Sequence, residues 1–499
     1  MTIRPRWKWI ASSIAVAILV GVVIYTGWTV SGNEAANRQM QAVQVKAVEW
    51  GLNAPDGKFK PKGATGKSLF LVYKKQATVL IPMRKIMAEK QQNAGTKIVG
   101  GPPASISSGV PIGPYSQRIN NLSPAQFAKL QAIMAPSVIA IRKASKVPVQ
   151  SPSIASSRSA ESAIDFPSLA SSKAVAKVLE YDAFVQLRKN DPLAFGKDVT
   201  AIMRIANQND QGNTMINYLV GAAIGSIGLV PITEAIRKHP TEKAWLISVR
   251  NALETYQEPA LFASAPEEWS QLQSSLTSLR KASPTQVKNA LKAVSGNDEN
   301  QSPDVNLSIG PNRNRFIADC AAYQITVMDG ERYQFCSPGQ WTKQSKKAEF
   351  ALKQHGKIYR LSTILVFDSA LDVKETLKMR LLMNMMSTFV NASLYRLQYK
   401  TWPASLKFGS HVNFQGFVPS SQPIQNVLQA KPRSTLSSTD PFTGRYIQYL
   451  KSGNGITLVG TAPKSVLNQV TSPRRYFPAG KTGYFIHIQG NSVTTNIFP

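Results

Sequence analysis

No charged side chain interrupts the run from Trp9 to Asn33 in MTIRPRWKWIASSIAVAILVGVVIYTGWTVSGNE. At 1.5 Å per helical residue, such a run reaches across a hydrocarbon core about 30 Å thick. Arg4, Arg6 and Lys8 precede it and Glu34 follows. Basic residues stay on the cytoplasmic side, so the N-terminus is expected inside and the bulk of the chain outside the cytoplasm. Trp7, Trp9, Tyr25 and Trp28 fall near the two ends, where amphipathic rings settle at the interface. The expectation is a retained single-pass anchor in a bacterial inner membrane, with residues 9–33 meeting the lipid. A cleaved signal peptide is the rival reading. The run exceeds the usual apolar length of a signal peptide, and Trp28 and Val30 are not the small residues that a cleavage site prefers. A buried soluble helix is the third. The next most apolar stretch, YLVGAAIGSIGLV at residues 218–230, has the length of a buried core helix.

Lys and Arg number 58 against 28 Asp and Glu, a formal charge of +30. Hydrophobic residues reach 43%, which excludes a wholly disordered chain. Two cysteines exclude a disulfide-dense scaffold and any four-cysteine zinc or iron–sulfur site. A strong positive balance first suggests nucleic acid. The basic pairs Lys74-Lys75, Lys346-Lys347 and Arg474-Arg475 are dispersed, however, and ETYQEPALFASAPEEW at residues 254–269 interrupts them. Outside the cytoplasm the charge suits anionic lipid, an anionic surface polymer or an acidic protein partner.

The remaining chain divides by composition. Residues 34–50, rich in Ala and Gln, extend the anchor as a juxtamembrane helix, and GLNAPDG stops it. Residues 51–171 form a mixed, linker-rich region. KSLFLVYKK and ATVLIP, around residues 68–82, suggest short strands. Ser123-Pro124 resembles a cap and a first-turn proline, with Leu130, Ile133 and Met134 on a helical face. Pro136 is expected to kink or end that helix. Residues 172–295 carry successive helical patterns with short breaks, the mark of a helical bundle. Thr241-Glu242 and Ser283-Pro284 read as helix starts.

Residues 305–499 suggest an α+β domain with antiparallel strands. YQITVM-DG-ERYQFC predicts a hairpin with Asp329-Gly330 at its turn. Met328 then faces Glu331 and Cys336 faces Tyr323, so Cys320 and Cys336 are not directly opposed. An oxidising compartment still favours a disulfide between them, with two free buried thiols as the alternative. Residues 357–369 predict a strand, and residues 370–400 a long helix. Leu377, Leu381, Met385 and Phe389 mark the apolar side of that helix. Its four methionines at residues 379–386 suit core packing.

LYRLQYKTWPASL (394–406), STDPFTGRYIQYL (438–450) and GNGITLVGTAPKS (453–465) form the most distinctive cluster. Together they resemble the pseudopilin-like C-terminal portion of anchored envelope proteins from planctomycete-like bacteria. Tyr395 and Tyr399 match the helix end, and Trp402, Pro403, Ser405 and Leu406 the segment after it. Asp440, Pro441, Phe442 and Gly444 match the turn, with Tyr446 in the strand that follows. Lys400 or Thr401 stands where a glycine is expected. The likeness covers residues 370–465, and residues 193–236 weakly resemble the helical section of the same proteins. It implies architecture and location, since most such proteins have no established activity. The anchor lies far from the matching helix, so pilin-type polymerisation is not expected.

Catalytic signatures are lacking. PKGATGKS, residues 61–68, has Pro61 where a phosphate loop needs glycine. Asp329/Glu331 and Asp368/Asp372 suit a turn tip and a helix start, and His355 suits a helix end. No catalytic residue, cofactor or metal site is predicted. The chain is expected to be an anchored structural or interaction protein of the cell envelope. The alternatives are an envelope hydrolase acting on polysaccharide or peptidoglycan, and an envelope nucleic-acid-binding protein.

Overall fold

The computed structural model describes residues 6–49, 66–92, 118–147, 166–210, 215–257, 276–286, 310–334, 369–403, 440, 446–452, 455–460, 484–489 and 492–496. Within them the chain is mostly helical, with one small antiparallel sheet. The helices are α1 (Arg6–Glu49), α2 (Gly66–Ala77), α3 (Leu80–Gln92), α4 (Pro124–Ala144), α5 (Phe166–Lys189), α6 (Pro192–Asp210), α7 (Met215–Lys238), α8 (Lys243–Thr255), α9 (Gly310–Gln334) and α10 (Ser369–Tyr399). The strands are β1 (Gln448–Ser452), β2 (Gly455–Gly460), β3 (Tyr484–Gln489) and β4 (Ser492–Asn496).

Local chemistry sets several helix ends. Ser123 and Gln126 form a reciprocal capping box at α4, with Pro124 at its first turn. The Asp191 carboxylate accepts the Ala194 N–H at 2.9 Å and caps α6. Ser283 and Gln286 exchange the same pair of bonds ahead of a short helical turn. Pro136 does not end α4, which continues to Ala144. Leu130, Met134, Val138 and Ile141 form one buried face on both sides of the proline, so packing holds the helix through the lost hydrogen bond.

α5, α6, α7 and α8 pack on one another as the expected bundle. α7 is its centre. The window Asn217–Lys238 is long and apolar enough to cross a membrane, yet 78% of it is buried inside the fold. A Cβ on Gly228 would lie 2.8 Å from Met203 Cε and 3.1 Å from Ile202 Cγ2, so this glycine lets α6 approach α7 closely. Gln208 joins three helices. It accepts the Tyr73 hydroxyl proton and donates to the carbonyls of Ala144, Ser145 and Val147, the uncapped end of α4.

Two strand expectations are overturned. The segment around residues 68–82 forms α2 and α3, with Leu69, Tyr73, Leu80 and Met83 buried in the main core. The hairpin expected at residues 323–336 is instead helical over 323–334, in α9, which packs along α1. Phe316, Ile317, Cys320 and Ala321 are buried there, at helical spacing. An interior glycine costs a helix only about 1 kcal/mol, so Gly330 does not forbid one. The strand expected at residues 357–369 lies outside the described residues, apart from Ser369, where α10 begins.

α10 lies between the bundle and the sheet, touching α7 and α8 as well as β2 and β3. Leu381, Met385 and Phe389 of the expected apolar side are fully buried, and so are Met383, Met386 and Val390 around it. The sheet is a meander in the order β1-β2-β3-β4. Ile456 pairs with Ile488 and Leu458 with Ile486, and these four side chains are buried. Thr457 and His487, one step along each strand, point to the other face and meet at 2.7 Å. A Cβ on Gly460 would lie 2.8 Å from Met385 Sδ and 2.9 Å from Leu381 Cδ1. Gly460→Val is therefore expected to cost about 1–3 kcal/mol by forcing the sheet off α10. Urea unfolding would measure it, and an unchanged midpoint would remove the close approach from the account.

Candidate functional site

At the end of α10 the chain turns through Lys400, whose φ is 61° and whose N–H bonds the Arg396 carbonyl at 2.8 Å. This is the left-handed helix ending at which glycine is favoured. Trp402 then folds into the core, with the Arg396 guanidinium 4.8 Å from its ring centroid. The Tyr449 hydroxyl, on β1, donates to the Pro403 carbonyl at 2.9 Å and ties the sheet to the helix end. Tyr395 and Tyr399 pack ring against ring, 4.4 Å between centroids. Asp440 is buried and Tyr446 half-buried. Leu406, Pro441, Phe442 and Gly444 lie outside the described residues, as do His355 and Asp368. The structure thus joins Trp402 and Pro403 to β1 through Tyr449.

A second polar cluster sits inside the bundle, on residues the sequence analysis did not single out. Arg142 of α4 donates through Nε to Asp198 Oδ1 at 2.7 Å. Its terminal nitrogen lies 2.6 Å from the same oxygen, and donates to Asp182 Oδ2 at 3.1 Å and to the Ala194 carbonyl at 3.3 Å. Gln186 supports Asp182 at 3.1 Å. Asp198 is completely buried, and its Oδ2 has no hydrogen-bond partner. Burial, then the neighbouring Asp182 charge, hold the Asp198 carboxyl well above the usual carboxylate range, while Arg142 opposes them. Substrate has no access to a fully buried carboxyl, so this cluster reads as a structural brace between α4, α5 and α6. The signal in the sequence was an acid set on the apolar stripe of Phe195, Ile202 and Ile205.

A carboxyl raised in the folded state binds protons that the unfolded chain has released. Its stabilising contribution is complete below the unfolded value and is lost as pH rises toward the folded one. Asp198→Asn is therefore expected to gain on the unsubstituted protein as pH rises, by up to about 1.4 kcal/mol per pH unit inside that window. Thermal melts between mildly acidic and mildly alkaline pH would test this. Parallel pH profiles would refute it.

Cys320 is a free, fully buried thiol in this structure. Burial and the nearby Asp319 charge push the thiol up, so it is a poor nucleophile. Cys336 lies outside the described residues.

The two halves of α1 differ. Val20, Val22, Val23, Ile24, Tyr25 and Val30 are 48% to 65% exposed, and a Cβ on Gly21 or Gly27 would meet nothing within 4 Å. Thr26 and Thr29 give their hydroxyl protons to the carbonyls of Val22 and Tyr25, within the helix. From Trp28 onward one side of the helix packs against α9. The Arg315 guanidinium stands 5.7 Å from the Trp28 ring, a Cβ on Gly32 would lie 3.2 Å from the Pro311 carbonyl, and Asn314 donates to Asn33 at 2.6 Å. Ala36 and Val43 are fully buried.

No family model, no curated protein and no solved structure matches this chain. What it does must be argued from its own geometry.

Proposed function

We propose that this protein is a membrane-anchored, extracytoplasmic structural or interaction protein of the bacterial cell envelope. The observation that carries the reading is the change along α1 at Trp28–Gly32. Before it, residues 20–27 are exposed and mostly apolar. After it, one side of the helix packs against α9. A helix bare of protein and apolar around its exposed side is at home in lipid, and hydroxyls bonded inside the helix suit a medium without water. The basic residues ahead of the run orient the N-terminus inward. We read α10 and the antiparallel meander as the pseudopilin-like unit of the C-terminal portion. The excess of basic residues fits an anionic surface polymer or an acidic envelope protein as partner.

Expression of the full chain in a bacterium, followed by carbonate washing of the membranes, is expected to leave it in the pellet. Protease added to spheroplasts is expected to remove all but the N-terminal tip. Recovery in the carbonate supernatant, or protection of the bulk of the chain in intact spheroplasts, would overturn anchor or orientation respectively.

A further inference from the structure

A pocket of about 210 Å³ opens where the α7–α8 turn meets the end of α10. Pro240, Leu397 and Trp402 supply apolar wall, and Ser393, Arg396 and Lys400 supply polar and charged groups. Among the described residues, no acidic one lines it. Ser393 is only 2% exposed, and its Oγ has no hydrogen-bond partner. A helical serine ordinarily returns its hydroxyl to the carbonyl four residues back, and a buried hydroxyl left unpaired is costly. Arg396 is held at the wall by the Trp402 ring. Lys400 occupies the left-handed position, φ 61°, where glycine would sit without strain. An unpaired buried hydroxyl and two cations, one of them a lysine kept in an unfavourable backbone conformation, converge on one small cavity.

We infer that this pocket binds an oxyanion, the phosphate or carboxylate group of a small ligand whose carbon frame rests on Leu397, Pro240 and Trp402. Ser393 donates its hydroxyl to one oxygen, and the two cations neutralise the charge. The inference stands on the pocket alone and does not depend on where α1 resides.

The test is calorimetric titration of the detergent-solubilised full chain with inorganic phosphate and, separately, acetate, each against chloride at matched ionic strength. At least one oxyanion is expected to bind with one-to-one stoichiometry, and which of them binds identifies the ligand class. Lys400→Gly is expected to weaken that binding on the order of tenfold while raising the melting temperature, because it removes a charge and a backbone strain together. Ser393→Ala is expected to weaken binding with little change in melting temperature. Equal affinity in Lys400→Gly and the unsubstituted chain would overturn the proposal. So would the absence of any oxyanion heat above chloride.

Discussion

Arg142→Ala is expected to lower the stability of the fold by about 3–5 kcal/mol, the usual cost of removing one partner from a buried ion pair. Arg142 is the cation that contacts both Asp182 and Asp198, and three helices converge on it. Without it Asp182 retains the Gln186 amide, and Asp198 loses the interaction that opposes its burial. Urea unfolding at neutral pH would measure the loss. The double variant Arg142→Ala with Asp198→Asn is expected to lose markedly less than the single one, because the carboxyl that most needed the cation is gone. Losses that simply add would mean that Arg142 acts through its packing and not through charge.

Trp245→Ala is expected to cost a similar amount, about 3–5 kcal/mol. The indole of α8 is buried where two interhelical turns meet. Its Nε1–H donates to Asn190 Oδ1 at 3.1 Å, and Asn190 turns the chain between α5 and α6 with φ of 60°. The His239 ring stacks on it at 4.4 Å, itself held by Glu242 at 2.7 Å, and Phe195 meets it edge-on at 5.1 Å. Trp245→Phe keeps much of the packing and loses the bond to Asn190, so it should cost only about 1 kcal/mol from that bond plus a smaller packing loss. Chemical denaturation of both variants would test the clamp. A loss below about 1 kcal/mol for Trp245→Ala would show that the turns are held by other contacts.

Much of the helical architecture was legible in short windows. Ser123, Pro124 and Gln126 announce α4 because a cap needs only residues three apart. The runs at residues 172–255 read as helices because their apolar spacing is helical over several turns, and the strand expected to follow residues 440–444 is β1. The cluster of Arg142, Asp182 and Asp198 was not legible, since its members come from three helices. Nor was the pocket at Ser393, which needs the α7–α8 turn to supply Pro240.

The local pattern therefore determined where most helices begin, which strand lies after α10, and that an uncharged apolar run precedes the folded part. These features rest on hydrogen bonds and side-chain spacing within a few residues. Tertiary packing decided the rest. KSLFLVYKK and the Asp329-Gly330 segment have β-branched and aromatic residues that suit either state, and both are helical; in the first, Leu69 and Tyr73 are buried in the main core. α10 is buried on several sides because the bundle covers one part of it and the sheet another, a fact its own heptads do not contain. Asp198 is held above its ordinary range only because folding removes water from it and brings Asp182 and Arg142 alongside. Burial and long-range charge belong to the assembled core, and no window of sequence holds them.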